Sequence, residues 1–158
     1  MDPARADRIA FSAPYVEIEG TYLVRDDSAV RTVADLDRAG VRIAVGRGAA
    51  YDLYLSRELK HAQIERAETS AAAIALFDQQ RLDAAAGVRQ PLQAWAQAHP
   101  GHRVLADRFT AIQQAVAAPA SRPADALKAL FVEVEAIKQG PLLEEAFARA
   151  GQAVTLVR

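Results

Sequence analysis

The feature that most constrains the fold is a regular alternation of short β-type apolar runs with helical segments, the two usually separated by glycine or a capping residue. Such an order specifies an α/β architecture with a largely parallel sheet, because each helix carries the chain back across the sheet face. Residues 42–46 (RIAVG) form a compact apolar strand. Gly48 then turns the chain into a helix over about residues 50–59, in which Tyr51, Leu55 and Leu59 share one face. The unit repeats over 64–67, followed by a helix capped by Ser70 with Ala73, Ile74 and Phe77 on one side. It repeats again over 83–87, a small-residue strand, followed by a helix from Pro91 to Ala98 stopped by Pro100 and Gly101. Residues 21–25 (TYLVR) give the first clear strand. Thr32 and Asp35 make the capping box of a short helix through Arg38, and Gly40 ends it.

After a further strand at 102–106, residues 111–118 (AIQQAVAA) read as an extended segment with two glutamines where a core strand is normally apolar. The last third changes character. A helix from Ser121 places Leu127, Leu130, Val134 and Ile137 on one face and ends at Gly140, and Pro141 opens a second helix through Ala150. Only 154–157 follow as a strand, so the sequence supplies almost no sheet for that apolar face. Self-association as a homodimer through these C-terminal helices is one expected consequence.

At 158 residues and 51% hydrophobic, the chain can bury one good core. Lys and Arg total 19 against 20 Asp and Glu, which speaks against a nucleic-acid partner. The absence of cysteine excludes disulfides, thiolate metal sites and cysteine nucleophiles. No apolar stretch approaches the ~20 residues of a spanning helix, and MDPARADRIAFS has no hydrophobic signal core. The apolar run at 9–11 comes after barely one turn of polar chain, and the expectation is an N-terminally truncated protein.

Three segments carry a family likeness. DPARADRIAFSAPY at 2–15, DLDRAGVRIAVGRGAAYDLYL at 35–55 and QQRLDAAAG at 79–87 resemble, in order and spacing, blocks of the periplasmic solute-binding proteins of ABC importers, in the polar amino acid cluster of family 3 type. The resemblance implies a periplasmic-binding-protein-like α/β fold of two lobes joined by extended hinge strands, with a small solute held in the cleft. On that map residues 1–20 are a remnant of lobe one and the outgoing hinge. Residues 21–110 are a complete lobe two, and 111–158 are the return hinge and C-terminal lobe-one helices. It also implies periplasmic localisation of the intact protein, an ABC permease as partner, and neither cofactor nor enzymatic activity.

The resemblance places Arg5 where the family holds a ligand carboxylate, a task that suits the planar donors of a guanidinium; the bland alternative is a solvated terminal arginine. Tyr15 opens the outgoing hinge. Gly48, Ala49 and Ala50 lie where a glycine turn enters a helix, so their backbone N–H groups form either an anion seat or an ordinary helix start. Family members carry Ser or Thr there. Gly46, Arg47 and Gly48 make no dinucleotide or P-loop fingerprint. Val88 stands where many amino-acid binders have an aspartate for the ligand ammonium, which argues against an ordinary α-amino acid, since a buried unpaired ammonium is costly. Arg89 beside it either favours a further anionic group or is an exposed arginine at a helix start. Gln114 and Gln113 lie in the return hinge, where strand alternation lets one of them face a cleft. A rival reading is a dehydratase-like enzyme on the same fold using Glu17 or Glu19, and a third is a self-associating interaction or sensor module. His61, His99 and His102 lack metal-site spacing and are read as surface residues.

Overall fold

The computed structural model describes residues 8–151 and 154–158. The chain divides into two compact units, one of them Glu19–Ala111 and the other made by the residues on either side of it.

In the Glu19–Ala111 unit the strands follow the order β3-β2-β4-β1-β5. They are β2 (Arg42–Gly46), β3 (Gln63–Ala67), β4 (Ala84–Val88), β5 (His102–Val104) and the second half of β1 (Ile9–Arg25). β2 pairs in parallel with β3 and β4, whereas β1 is antiparallel to both β4 and β5. Four of these five strands therefore run one way, with β1 as the reversed member. The helices α1 (Ala50–Glu58), α2 (Ser70–Gln79) and α3 (Arg89–Ala98) follow β2, β3 and β4 directly, and a 3-10 helix covers Val33–Leu36.

Strand alternation builds two cores from one sheet. Tyr22, Val24, Ile43, Val45, Ala84 and Ala86 point to one face and pack with Tyr51 and Leu55 of α1, Leu36 and Leu105. Leu23, Ala44 and Ala85 point to the other and pack with Ala73, Ile74 and Phe77 of α2, Leu82 and Leu92. Strands buried on both faces read as unbroken apolar runs, which is why 42–46 and 83–87 were conspicuous in the sequence. The alanines of β4 let α2 and α3 sit close to the sheet; even at Gly87 a Cβ would lie 3.2 Å from Leu92 Cδ2. At Gly46 a Cβ would come within 2.8 Å of the Ser70 backbone nitrogen, so the residue must be glycine for α2 to start where it does.

The second unit contains the first half of β1, all but the first two residues of β6 (Thr110–Pro119), α4 (Ala124–Gln139), α5 (Leu142–Arg149) and β7 (Thr155–Leu156). β6 and β7 both pair with β1; the Val116 N–H donates to Ser12 Oγ at 3.0 Å and the Ala120 N–H to the Arg8 carbonyl at 2.9 Å. The Val157 N–H donates to the Tyr15 carbonyl at 3.1 Å. α4 begins at Ala124 rather than at Ser121, because Pro123 occupies the N-cap with extended backbone. The apolar surplus read in the C-terminal helices is present: Leu130, Val132, Ile137 and Leu142 are 37%, 56%, 38% and 50% exposed.

Candidate functional site

β2, β3 and β4 are parallel neighbours, so their carboxyl ends lie on one edge of the sheet, and α1, α2 and α3 start there. Open α/β sheets bind ligands at this edge, where loops and helix N-termini present donors to one place. Each helix start is built differently.

At α1 the N-cap is Ala49, which has no side-chain acceptor, and Gly48 adopts φ +71 to make the turn. The capping role passes to Asp52 inside the first turn, whose carboxylate accepts from the Gly48 N–H at 2.8 Å. Asp52 is buried; Arg66 of β3 donates to it through Nε at 3.0 Å and to Ser56 Oγ through Nη2 at 2.7 Å. The Ala49 N–H donates to the Gly46 carbonyl at 3.2 Å. Two of the three amides proposed as an anion seat thus have acceptors within the chain, and the Asp52 charge offsets the positive end of the helix dipole. Ala50, the third residue of the proposed seat, is exposed at the edge.

At α2, Thr69 is the N-cap and its hydroxyl oxygen accepts from the Ala72 N–H at 3.0 Å, so the cap sits one residue before the Ser70 read from the sequence. Ser70 Oγ instead takes a hydrogen bond from the Tyr51 hydroxyl at 2.6 Å, tying α2 to α1. Thr69 and Ser70 are both exposed, so their hydroxyls stand at this edge within reach of a ligand.

At α3, Val88 is the N-cap and is half-buried. Arg89 is neither a free cation nor an exposed helix-start arginine, since only 18% of its side chain is exposed. Its Nε donates to Glu19 Oε2 at 2.5 Å, and Nη1 and Nη2 donate to the Leu105 and Ala106 carbonyls, each at 2.9 Å. Arg108 takes the other Glu19 oxygen at 3.2 Å. This cluster locks the β5 to β6 connection onto the start of α3.

Tyr15 and Gln114 belong to the other unit, where Tyr15 is half-buried and both Gln113 and Gln114 are exposed. Arg5 lies outside the described residues. Of the histidines, His61 and His99 are exposed, but His102 is not: its side chain is 11% exposed, and Nε2 lies 3.4 Å from Asp78 Oδ1. It begins β5 against the Phe77 ring of α2, which withdraws it from the surface role. Among the described residues no group of His, Cys, Asp and Glu could hold a metal ion, and no helix is long and apolar enough to cross a membrane.

The perturbed titrations lie elsewhere. Burial, then the charges of Asp37 and Tyr54, push the Tyr22 phenol well above its usual range. Backbone donors hold two carboxyls below theirs: the N–H groups of Arg31 and Thr32 for Asp35, and those of His61, Ala62 and Lys60 for Asp37.

No protein-family model matches the sequence, nor does any curated protein. Solved structures do match. A variant of ArgBP from T. maritima aligns over 94% of this chain with a TM-score of 0.78 at 20% identity. A solute receptor for L-cysteine of Neisseria gonorrhoeae aligns over 94% with a TM-score of 0.79 at 21% identity. The GluR0 ligand-binding core complexed with L-glutamate aligns over 94% with a TM-score of 0.80 at 21% identity. The chain has the fold that these structures share. The chain spans 64%, 60% and 67% of the length of these three structures.

Sequence reading missed Asp52, Arg66, Tyr51 with Ser70, and the Glu19 to Arg89 pair. For Asp52 a signal was available: an acid in the first turn after an alanine N-cap is the one side chain able to take over the capping.

Proposed function

We infer that the chain is part of the solute-binding component of an ABC-type importer, periplasmic in the intact protein, which captures a small polar or anionic organic solute between two lobes and presents the closed form to a membrane permease. The unit Glu19–Ala111 is lobe two on this reading. What carries the inference is the edge where three helix N-termini follow three adjacent parallel strands, with the exposed residues Ala50, Thr69 and Ser70 there, within a fold whose solved examples bind amino acids.

The chemistry of that edge narrows the solute. Its donors are amides and hydroxyls, which suit carboxylate or other anionic oxygen. The cation nearest α3, Arg89, is already neutralised by Glu19, and Val88 offers no carboxylate for an ammonium group. A carboxylate-bearing solute without a strict need for an α-ammonium fits best. Arg5, Tyr15 and Gln114 would complete the site from the first lobe. Self-association through the C-terminal helices belongs to the same reading.

The dehydratase-like alternative is weaker at Glu19, because both carboxylate oxygens are taken by guanidinium donors and are poorly placed to abstract a proton.

Affinity in a two-lobe clamp comes from both halves. Calorimetric titration of this chain with a panel of amino acids and small carboxylates should therefore give at most millimolar binding, and an N-terminally extended version should bind at least a hundredfold more tightly. Equal, submicromolar binding by both would overturn the two-lobe reading.

A further inference from the structure

We propose that the chain pairs with a second copy of itself along one flank of α4, antiparallel and about a two-fold axis. The proposal rests on α4 alone and requires no solute.

α4 turns Val134 and Lys138 inward, with Leu127 and Phe131 half-buried beside them. Next to that inward stripe lies a shallow apolar depression lined by Ala124, Leu127, Lys128, Phe131, Val132 and Glu135. Val132, at 56%, is the most exposed large apolar side chain named in the unit. A contiguous apolar strip on water is a surface that gains from being covered.

The charges at its rim say what covers it. Lys128 stands at one end and Glu135 at the other, seven residues and two helical turns apart, about 10 Å along the axis. Midway between them come Phe131 and Val132. Rotating a second helix by half a turn about an axis through that midpoint sets Lys128 against the partner's Glu135 and Glu135 against the partner's Lys128. The apolar midpoint then lies over itself. A parallel pairing in register would set like charges together. An opposite pair of charges placed symmetrically about an apolar centre is the pattern that an isologous interface requires of a single surface. Glu135 Oε1 accepts from the buried Lys138 Nζ at 3.1 Å, which fixes the carboxylate while leaving its side chain 48% exposed.

A single helix pair buries less than the ~800 Å² per partner of a standard interface, so the association is weak and concentration-dependent. Sedimentation equilibrium of the 158-residue chain over about 10–500 μM should show a monomer–dimer transition. K128E alone and E135K alone should each weaken dimerisation by about tenfold, since two exposed ion pairs become repulsive. An equimolar mixture of the two variants should restore it, because every contact in the mixed pair is again between opposite charges. V132D should abolish it while leaving the thermal melt unchanged, which keeps the test valid if E135K disturbs the Lys138 contact. A monomer at the highest concentration would overturn the proposal. A dimer indifferent to K128E and V132D would overturn it too, by placing the interface elsewhere.

Discussion

The ion pair between Asp52 and Arg66 is unequal, and the inequality can be tested. Asp52 has 5% of its side chain exposed against 35% for Arg66, at 3.0 Å. Removing the carboxylate's charge leaves a guanidinium that water can reach. Removing the guanidinium strands a carboxylate whose remaining supports are the Gly48 N–H at 2.8 Å and the Ser56 hydroxyl at 3.3 Å. Asp52→Asn keeps an acceptor for Gly48 and should cost about 1–2 kcal/mol, the value of a charge-assisted hydrogen bond made neutral. Arg66→Met should cost more, about 3 kcal/mol, the low end for breaking a buried pair, because Arg66 is partly hydrated. The double variant removes the stranded charge and should fall back near the Asp52→Asn value. At roughly 2–4 °C per kcal/mol for a chain of this length, Arg66→Met should melt at least about 2 °C below Asp52→Asn. Far-UV circular dichroism melts of the three variants decide the matter. An Arg66→Met protein as stable as Asp52→Asn, or a double variant worse than Arg66→Met, would show that burial does not set the cost here.

Gly46→Ala should destabilise by about 1–3 kcal/mol, since its Cβ meets the Ser70 backbone, and hydrogen exchange should quicken at the start of α2; Gly48→Ala, with φ +71 and open space around the Cβ position, should cost about 1 kcal/mol of backbone strain and leave α2 protected. Tyr51→Phe and Ser70→Ala should each lose about 1 kcal/mol, and the double variant no more than either, because they share one hydrogen bond. Asp37 binds three backbone N–H groups and has a lowered folded pKa, so its stabilisation is fully present above the ordinary Asp value of about 3.9 and is lost as pH falls through the folded value. Asp37→Ala should therefore be less stable than the parent at pH 7, with the gap closing below pH ~4 in urea titrations.

Most of the Glu19–Ala111 unit was legible because its strands are apolar on both faces and its helices carry their own punctuation. Residues 42–46 and the helix at 50–59 differ from β2 and α1 by at most one residue. Strand β1 was not legible as one piece. Its 17 residues include Pro14, Glu17, Glu19 and Gly20, which break the apolar pattern, so the sequence divides into an extended fragment, a hinge and a strand. The pairing that keeps those residues extended comes from β4, β5, β6 and β7, all distant in sequence. The same distance hid the site's fixed charges. Glu19 and Arg89 are 70 positions apart, and nothing local marks either as the other's counter-ion. Local chemistry, by contrast, foretold the Asp35 capping box and came within one residue of the α2 cap.

The single strand β1 also fixes an order of events. Its second half finds β4 and β5 within the Glu19–Ala111 stretch, whereas its first half must wait for β6 and β7, which follow in the chain. Closing a loop of that length on an unstructured chain is slow. Once the inserted unit has condensed, the two ends of the loop are already held, and the late pairing becomes a short search. During synthesis the inner unit should consequently become protease-resistant before the outer one, with the first half of β1 left unpaired until β6 and β7 emerge.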